Sequence, residues 1–194
     1  MTDPLAVLKF WEPGRSFHGG LLGVLCAIFI FAKIHRRSFW AISDYIVPAV
    51  PIGIAAGRLG NWINGELWGR VTTVPWAVVF PGAGSVPRHP SPLYEFFLEG
   101  VLLFIILHYS AAHLQKCRSQ ATVLQKQGFQ SALFLIGYGV LRMIAECFRE
   151  PDWHQGFVLG GYCTQGQLLC IPMILGGLLI LVHKKLRNPL CSNI

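Results

Sequence analysis

The feature that most constrains this chain is a series of long apolar runs separated by short polar segments. The sequence is 53% hydrophobic and only 13% charged, whereas charged residues make up about a quarter of an average soluble domain. Several runs approach the ~20 apolar residues that a helix needs to cross a bilayer. The pattern predicts an all-α polytopic membrane protein. We place about five transmembrane helices at residues 19–34, 42–57, 93–111, 130–148 and 167–183.

The segments outside these spans are assigned by composition. Residues 1–17 mix apolar and polar side chains over too short a length to span, and tryptophan favours the interface, so we predict an interfacial arm. Residues 58–92 form a predicted extracytoplasmic loop. Within it, the β-branched and aromatic residues 72–80 predict a short strand in a small hairpin. Residues 1–194 are predicted to form a single integral membrane domain.

Two prolines, Pro48 and Pro51, interrupt the second predicted span. A proline in a membrane helix is tolerated where neighbours or water satisfy the carbonyl groups that it frees. We therefore expect a kinked helix, which carries the polar segment after it to the membrane surface.

The basic residues between the spans decide the orientation. If the spans alternate, three basic clusters without acidic residues lie on one side, and cytoplasmic loops are rich in lysine and arginine. That side and the C-terminus are therefore predicted to be cytoplasmic, and the loop after the second span faces outward. The net charge of +7 follows from this topology and does not indicate nucleic acid, because no basic stripe carries interleaved aromatics. The clusters comprise Lys33, Arg36, Arg37, Lys116, Arg118, Lys126, Lys184, Lys185 and Arg187.

The segment GRLGNWINGELWGR, residues 57–70, is too polar to be ordinary membrane helix. Glycine lets a backbone approach a ligand closely, and arginine presents a planar fork to phosphate or carboxylate. The alternative is an interhelical loop whose charges pair with each other, but the density of polar groups favours a binding site. Its polar side chains are Arg58, Asn61, Asn64, Glu66 and Arg70.

Tyr138, Arg142 and Glu146 recur every four residues in the fourth predicted span and so share one helix face. An arginine in an apolar span is costly unless it is paired or solvated. The pair Arg142–Glu146 is one explanation. The functional explanation is that Arg142 meets an anion that enters from the bilayer.

Two histidines lie near these groups in the predicted topology. His18 opens the first span, where a histidine that caps the helix or is simply hydrogen-bonded is the plain explanation, and His89 in RHPSPLYE caps or orients a loop or takes part in catalysis. No set of His, Cys, Asp and Glu residues has the spacing of metal ligands. The sequence therefore predicts no metal and no other cofactor.

Arginines, amides and a tyrosine at the headgroup level of the membrane suit a phospholipid headgroup. A leaving group that bears phosphate needs fixed positive donors, and a thiol nucleophile needs a base. The residues thus predict phospholipid chemistry at the outer face with the acceptor left open. The rival function is a small transporter, in which Arg142 and Glu146 line a polar pathway.

Five motifs in this order resemble those of the bacterial prolipoprotein diacylglyceryl transferases: SFHGGLLG, GRLGNWINGELWGR, RHPSPLYE, LFLIGYGVLRMIAECFREPD and GQLLCIPM. The resemblance covers nearly the whole chain. It implies transfer of diacylglyceryl from phosphatidylglycerol to the lipobox cysteine in the signal peptide of a prolipoprotein. A thioether forms and glycerol phosphate leaves, at the outer face of the bacterial cytoplasmic (inner) membrane and among its lipids.

The resemblance also implies roles for residues. Arg58 and Arg142 would hold and neutralise the phosphate, and His18 would be the base. Tyr138 would be a second acid/base or a positioning group. The residues assigned to substrate binding or its support are Asn61, Asn64, Glu66, Arg70, His89 and Glu146.

The resemblance departs at the start of the chain. The family has two further N-terminal spans, whereas Met1 falls where that region should already be finished. We therefore expect a truncated form with weak or no activity. Besides the transferase and the transporter, a third hypothesis is a catalytically dead remnant that still binds phospholipid.

Overall fold

Contacts divide the chain into two units, Met1–Ile42 and Ser43–Ile194. The computed structural model describes residues 17–116, 127–151, 157–158 and 163–187. The predicted arm over residues 1–17 lies outside this part, apart from its last residue. The assignment of the whole chain to a single membrane domain stays a prediction.

The first unit contains one apolar helix, α1 (Phe17–Ile34), which agrees with the first predicted span. Its last turn carries Lys33. The chain then turns at Arg36, whose φ of 52° lies in the left-handed region. The basic residues that were predicted to stop the helix therefore coincide with its end.

The second predicted span is interrupted as its prolines indicate. Helix α2 (Phe39–Ile46) is followed by a 3₁₀ turn (Val47–Ala49) and by α3 (Val50–Asn64). Pro48 and Pro51 each lie in the first turn of the segment that they open. Proline is accommodated there because its missing N–H would have no partner within the helix.

The third predicted span changes helix type. It consists of α4 (Ser91–Glu95), a π-helix (Phe96–Leu102) and α5 (Leu103–Lys116). The sequence did not predict the π-helix. Such segments are rare and are frequently found at functional sites.

The fourth and fifth predicted spans correspond to α6 (Phe129–Glu146) and α7 (Gln165–Arg187). The start of α6 is capped from a distant part of the chain. Asp44 accepts hydrogen bonds from the backbone N–H of Ser131 at 2.9 Å and from its hydroxyl at 2.6 Å. A carboxylate at a helix N-terminus satisfies free N–H groups and the helix dipole, so this contact fixes α6 against α2.

Small residues let α6 and α7 pack closely. A Cβ atom built at Gly139 would lie 2.6 Å from Cγ1 of Ile174. A Cβ atom at Gly177 would lie 2.7 Å from Cγ1 of Ile136 and 2.8 Å from the carbonyl oxygen of Ala132. Close backbone approach through small residues is a common way for membrane helices to associate.

We expect the substitution Gly177→Val to lower the free energy of unfolding by about 1–3 kcal/mol, because it forces side-chain volume into a packed interface. Thermal unfolding in detergent measures the effect. The matched control is Gly176→Val, because a Cβ atom at Gly176 meets nothing within 4 Å. Equal losses of stability in the two variants would contradict this packing.

The predicted strand over residues 72–80 is wrong. The chain turns at Pro75, where Ala77 donates a hydrogen bond to the carbonyl group of Val74 at 3.0 Å, and proline has no N–H for a strand ladder. Isolated bridges from Val71 and Val78 to Arg88 close the loop instead. In the described residues, the only strands are the two-residue pair β1 (Phe157–Val158) and β2 (Cys163–Thr164), which is antiparallel.

The predicted fold class, an all-α membrane protein, is confirmed. In the described part of the chain, three helical stretches are long and apolar enough to cross a membrane by length and composition: Phe39–Asn64, Ser91–Leu114 and Gly166–His183. Gly19–Ile34 is a shorter apolar helix. The count of about five spans stays a prediction.

Candidate active site

Three arginines and three glutamates from separate helices meet in the second unit. They come from α3, α4, the π-helix, α6 and the turn that follows α6. Their formal charges balance, which matters because buried charges must be paired. We call this group the arginine–glutamate cluster; it comprises Arg58, Glu95, Glu99, Arg142, Glu146 and Arg149.

Glu95 lies at the centre of the cluster and its side chain is fully buried. One carboxylate oxygen lies 2.8 Å from Nε of Arg58, and the other lies 3.0 Å from Nη1 of Arg142. The second oxygen also lies 3.6 Å from Nη1 of Arg149. Glu95 thus ties together arginines of α3, of α6 and of the turn that follows.

Glu99 repeats the bridge one turn later. Its carboxylate is also fully buried, with Oε1 at 3.1 Å from Nη1 of Arg142 and Oε2 at 3.3 Å from Nη2 of Arg58. The two arginines that the sequence singled out are therefore brought together by two shared carboxylates.

Glu146 holds the other side of Arg142. Its Oε2 atom lies 2.9 Å from Nη2 of Arg142, one turn apart on α6. The structural pair that the sequence offered as an alternative is therefore present. Glu146 is not the only partner of Arg142, because the same guanidinium group also contacts Glu95 and Glu99.

Tyr138 lies one turn before Arg142 on α6, as the spacing predicted. Its ring stacks on Phe134 with a centroid distance of 5.7 Å. It also packs against the buried side chains of Leu103, Leu107 and Leu141. Tyr138 therefore belongs to the surroundings of the cluster.

The side-chain amides of Asn61 and Asn64 both contact the carboxylate of Glu66. Helix α3 ends at Gly65, whose φ of 67° allows the chain to turn back, and Glu66 donates its N–H to the carbonyl of Asn61 at 2.9 Å. The Glu66 side chain accepts hydrogen bonds from Asn61 at 3.3 Å and from Asn64 at 3.5 Å. These residues form an exposed group at the C-terminal end of α3, the helix that also carries Arg58.

A groove of about 440 Å³ opens next to this amide group. Asn64 and Glu66 line one part of it, and the rings of Trp62, Trp68 and Phe80 line another. The ring of Phe80 meets that of Trp62 edge to face at 5.7 Å. The end of α3 and the loop between α3 and α4, residues 65–90, thus form an aromatic concave surface with polar groups at its edge.

Arg70 supports the backbone next to the cluster. Its N–H donates to the carbonyl of Phe148 at 3.0 Å, and its Nε donates to the carbonyl of Arg149 at 3.1 Å. The preceding Gly69 donates to the carbonyl of His89 at 2.9 Å. Gly69 and Arg70 therefore join the loop between α3 and α4 to the end of α6.

His89 orients the loop before α4. Its Nδ1 atom lies 3.1 Å from the hydroxyl of Tyr94, which accepts a hydrogen bond from the indole N–H of Trp76 at 2.7 Å. The tautomer of the His89 ring decides which of these two atoms donates the hydrogen bond. The His89 ring also meets Phe148 edge to face at 5.3 Å. These contacts are those of a residue that positions a loop.

His18 lies in the first turn of α1, in the first unit. Its side chain lies outside the described residues, so its role as a base stays a prediction.

Sequence reasoning missed Glu99 and gave Glu95 no role. The available signal was energetic, because an acidic side chain inside an apolar span is expensive and requires a partner. Glu99 lies within the stretch Ser91–Leu114, four residues after Glu95. Two carboxylates at that spacing indicate a shared cationic partner.

In the cluster, the side chains of Arg58 and Arg142 are more exposed than those of Glu95 and Glu99. The side chains of Arg58 and Arg142 are 18% and 12% exposed, whereas those of Glu95 and Glu99 are 0% exposed. An anion that approaches the cluster therefore meets guanidinium groups already held in place, which is the arrangement that stabilises developing negative charge. In the described residues, no group of three or more His, Cys, Asp or Glu side chains is placed to hold a metal ion.

Comparison with known proteins gives one family. The profile of the family described as prolipoprotein diacylglyceryl transferase matches residues 1–183. A phosphatidylglycerol–prolipoprotein diacylglyceryl transferase of Legionella pneumophila is 53% identical over 175 residues, which cover 90% of this chain and 64% of that protein. Proteins of the same name from Coxiella burnetii and Pasteurella multocida are 51% and 49% identical over 91% and 94% of this chain. The chain spans 64% of the length of each of these two relatives as well.

Proposed function

The chain belongs to the prolipoprotein diacylglyceryl transferase family, and from this premise we propose that it transfers diacylglyceryl from phosphatidylglycerol to a prolipoprotein. The acceptor is the cysteine thiol of the lipobox in the signal peptide. The products are a thioether and glycerol phosphate.

One observation carries the proposal. Arg58 and Arg142 come from helices far apart in the sequence, yet they share the buried carboxylates of Glu95 and Glu99 and remain partly exposed themselves. Guanidinium groups recognise phosphate through paired N–H donors. Two guanidinium groups fixed in this way at one site suit a phosphodiester headgroup.

The reaction is a nucleophilic displacement at carbon. The cysteine sulfur attacks the terminal carbon of the diacylglyceryl group, and the bond from that carbon to the phosphate oxygen breaks. Glycerol phosphate leaves with the electron pair, and Arg58 and Arg142 stabilise its added negative charge. The thiol proton passes to a base, for which we propose His18.

The remaining site residues support binding in this proposal. Tyr138 is an acid/base or positioning group beside Arg142. Glu146 holds the Nη2 atom of the Arg142 guanidinium group. The other residues hold the loops or contact the headgroup: Asn61, Asn64, Glu66, Arg70 and His89.

We place the site at the outer face of a bacterial cytoplasmic membrane, in a multi-pass protein whose C-terminus is cytoplasmic. The cluster lies near the end of α3, the start of α4 and the end of α6. The predicted cytoplasmic basic residues flank the opposite helix ends. The surrounding membrane lipids provide the substrate, which can enter laterally.

The proposal is tested with the purified chain in phosphatidylcholine vesicles that contain phosphatidylglycerol. We expect only weak release of glycerol phosphate, in line with the activity expected from the sequence, and only when a lipobox peptide is added; a peptide whose cysteine is replaced by serine should give none. Phosphatidylglycerol binding is measured in parallel. Binding without release would contradict the transferase proposal and support a dead lipid-binding remnant, whereas neither binding nor release would favour the transporter.

A further inference from the structure

We propose that Glu99 is a positioning residue that sets the spacing of Arg58 and Arg142 for the two free oxygens of a headgroup phosphate. The inference rests on the proposed function of the same site. Glu99 does not contact the substrate in this proposal. It acts through the two arginines that it joins.

The contacts of Glu99 differ from those of an ordinary ion pair. Each carboxylate oxygen serves a different arginine, with Oε2 at 3.3 Å from Arg58 and Oε1 at 3.1 Å from Arg142. The carboxylate oxygens lie about as far apart as the two non-bridging oxygens of a phosphodiester. The carboxylate of Glu99 therefore holds the guanidinium groups of Arg58 and Arg142 at a distance from each other that also suits the two free oxygens of a phosphate.

The backbone fixes Glu99 against the helix that carries Arg58. Gly100 follows Glu99 in the π-helix, and a Cβ atom at Gly100 would lie 2.6 Å from Cβ of Ala55 on α3. Ala55 precedes Arg58 by three residues, less than one helical turn. The close approach of the two backbones thus sets the distance from Glu99 to Arg58.

Arg58 keeps a donor for the ligand. It pairs with Glu95 through Nε and with Glu99 through Nη2. Its Nη1 atom has no partner among the described residues, and the side chain is 18% exposed. The carboxylates thus orient the guanidinium and leave one of its edges for a phosphate oxygen.

The competing explanation is that Glu99 only neutralises buried arginine charge. Glu99→Asp separates the two roles, because it keeps the negative charge but shortens the side chain by one methylene group. If reach matters, an aspartate cannot bridge both arginines at the native spacing. If only charge matters, the aspartate variant behaves like the parent protein.

The experiment compares the full chain with Glu99→Asp and with the control Glu150→Asp. Glu150 pairs with Arg88 at 3.4 Å at the surface, where its side chain is 45% exposed. We measure thermal unfolding, phosphatidylglycerol affinity in phosphatidylcholine vesicles, and kcat and KM for glycerol phosphate release. We expect Glu99→Asp to unfold near the parent temperature, to bind the lipid about tenfold more weakly and to lose at least about tenfold in kcat/KM. The control should match the parent protein.

Parent-like affinity and kcat/KM in folded Glu99→Asp would overturn the inference. If the parent chain binds phosphatidylglycerol without turnover, the proposed function fails, and the affinity of Glu99→Asp alone decides the role of Glu99. If the parent chain binds none, both proposals fail.

A second variant covers the case in which Glu99→Asp does not fold. Gly100→Ala pushes the π-helix away from Ala55 without a change of charge. We expect weaker lipid binding from it, and recovery in the exchange variant Ala55→Gly/Gly100→Ala, which restores the volume. Unchanged lipid binding in folded Gly100→Ala would also overturn the inference.

Discussion

Replacement of Arg142 by glutamine is expected to lower glycerol phosphate release by at least about 10³-fold, because loss of one fixed donor to a developing oxyanion already costs about 10²–10³ in rate. Arg142 also contacts Glu95, Glu99 and Glu146. The side chains of these glutamates are 0%, 0% and 6% exposed. Removal of one partner from a buried ion pair destabilises by about 3–5 kcal/mol. The glutamine variant therefore loses both leaving-group stabilisation and cluster geometry.

Two further variants separate these losses. Arg142→Lys keeps the charge but replaces the planar fork with a point donor, so we expect a folded protein with reduced release. Arg37→Gln removes an exposed arginine in the first unit, and it should match the parent protein. Thermal unfolding is measured beside release for each variant. Release by Arg142→Gln above one tenth of the parent rate would contradict the assignment of Arg142 to the phosphate.

The elements that the sequence predicted are those with local causes. The apolar runs predicted the helices. Pro48, whose ring and missing N–H disfavour the interior of an α-helix, lies in the 3₁₀ turn that interrupts the second span. The spacing of Arg142 and Glu146 predicted their contact, because side chains four residues apart on a helix are neighbours. In each case one short stretch of chain contains the whole reason.

The elements that the sequence did not predict depend on distant partners. The π-helix that carries Glu99 packs closely on Ala55 of α3, and nothing in residues 96–102 alone reveals that contact. The cap of α6 comes from Asp44, 87 residues before Ser131. Residues 72–80 have strand-forming composition, but they turn at Pro75, and an isolated bridge from Val78 to Arg88 takes the place of a continuous ladder. Composition favoured strands there, and the absence of a partner strand decided against them.

Replacement of Gly69 by alanine is expected to lower glycerol phosphate release by about 10²-fold, since displacement of a site by about 1 Å can cost that much. A Cβ atom at Gly69 would lie 2.6 Å from the carbonyl oxygens of both His89 and Phe148. Both oxygens are backbone atoms, so no side-chain rotation relieves the contact. The loop between α3 and α4 must therefore move away from the end of α6.

That movement reaches the cluster through Arg70. Arg70 donates to the carbonyls of Phe148 and Arg149, and Arg149 lies 3.6 Å from Glu95. Displacement of the loop thus disturbs the carboxylate that joins the arginines. Release of glycerol phosphate and thermal unfolding are measured together, and we expect a larger loss in release than in stability.

Gly60→Ala is the matched control within the same motif. A Cβ atom at Gly60 meets nothing within 4 Å, and the residue lies inside α3. Alanine in a helix is favoured over glycine by about 1 kcal/mol, so this variant should fold at least as well as the parent protein and keep its release. A parent-like rate in Gly69→Ala would show that the junction between the α3–α4 loop and α6 does not control the cluster. A loss in Gly69→Ala alone would show that the glycine is required for close backbone contact, and that the support of the site extends beyond the residues that meet the phosphate.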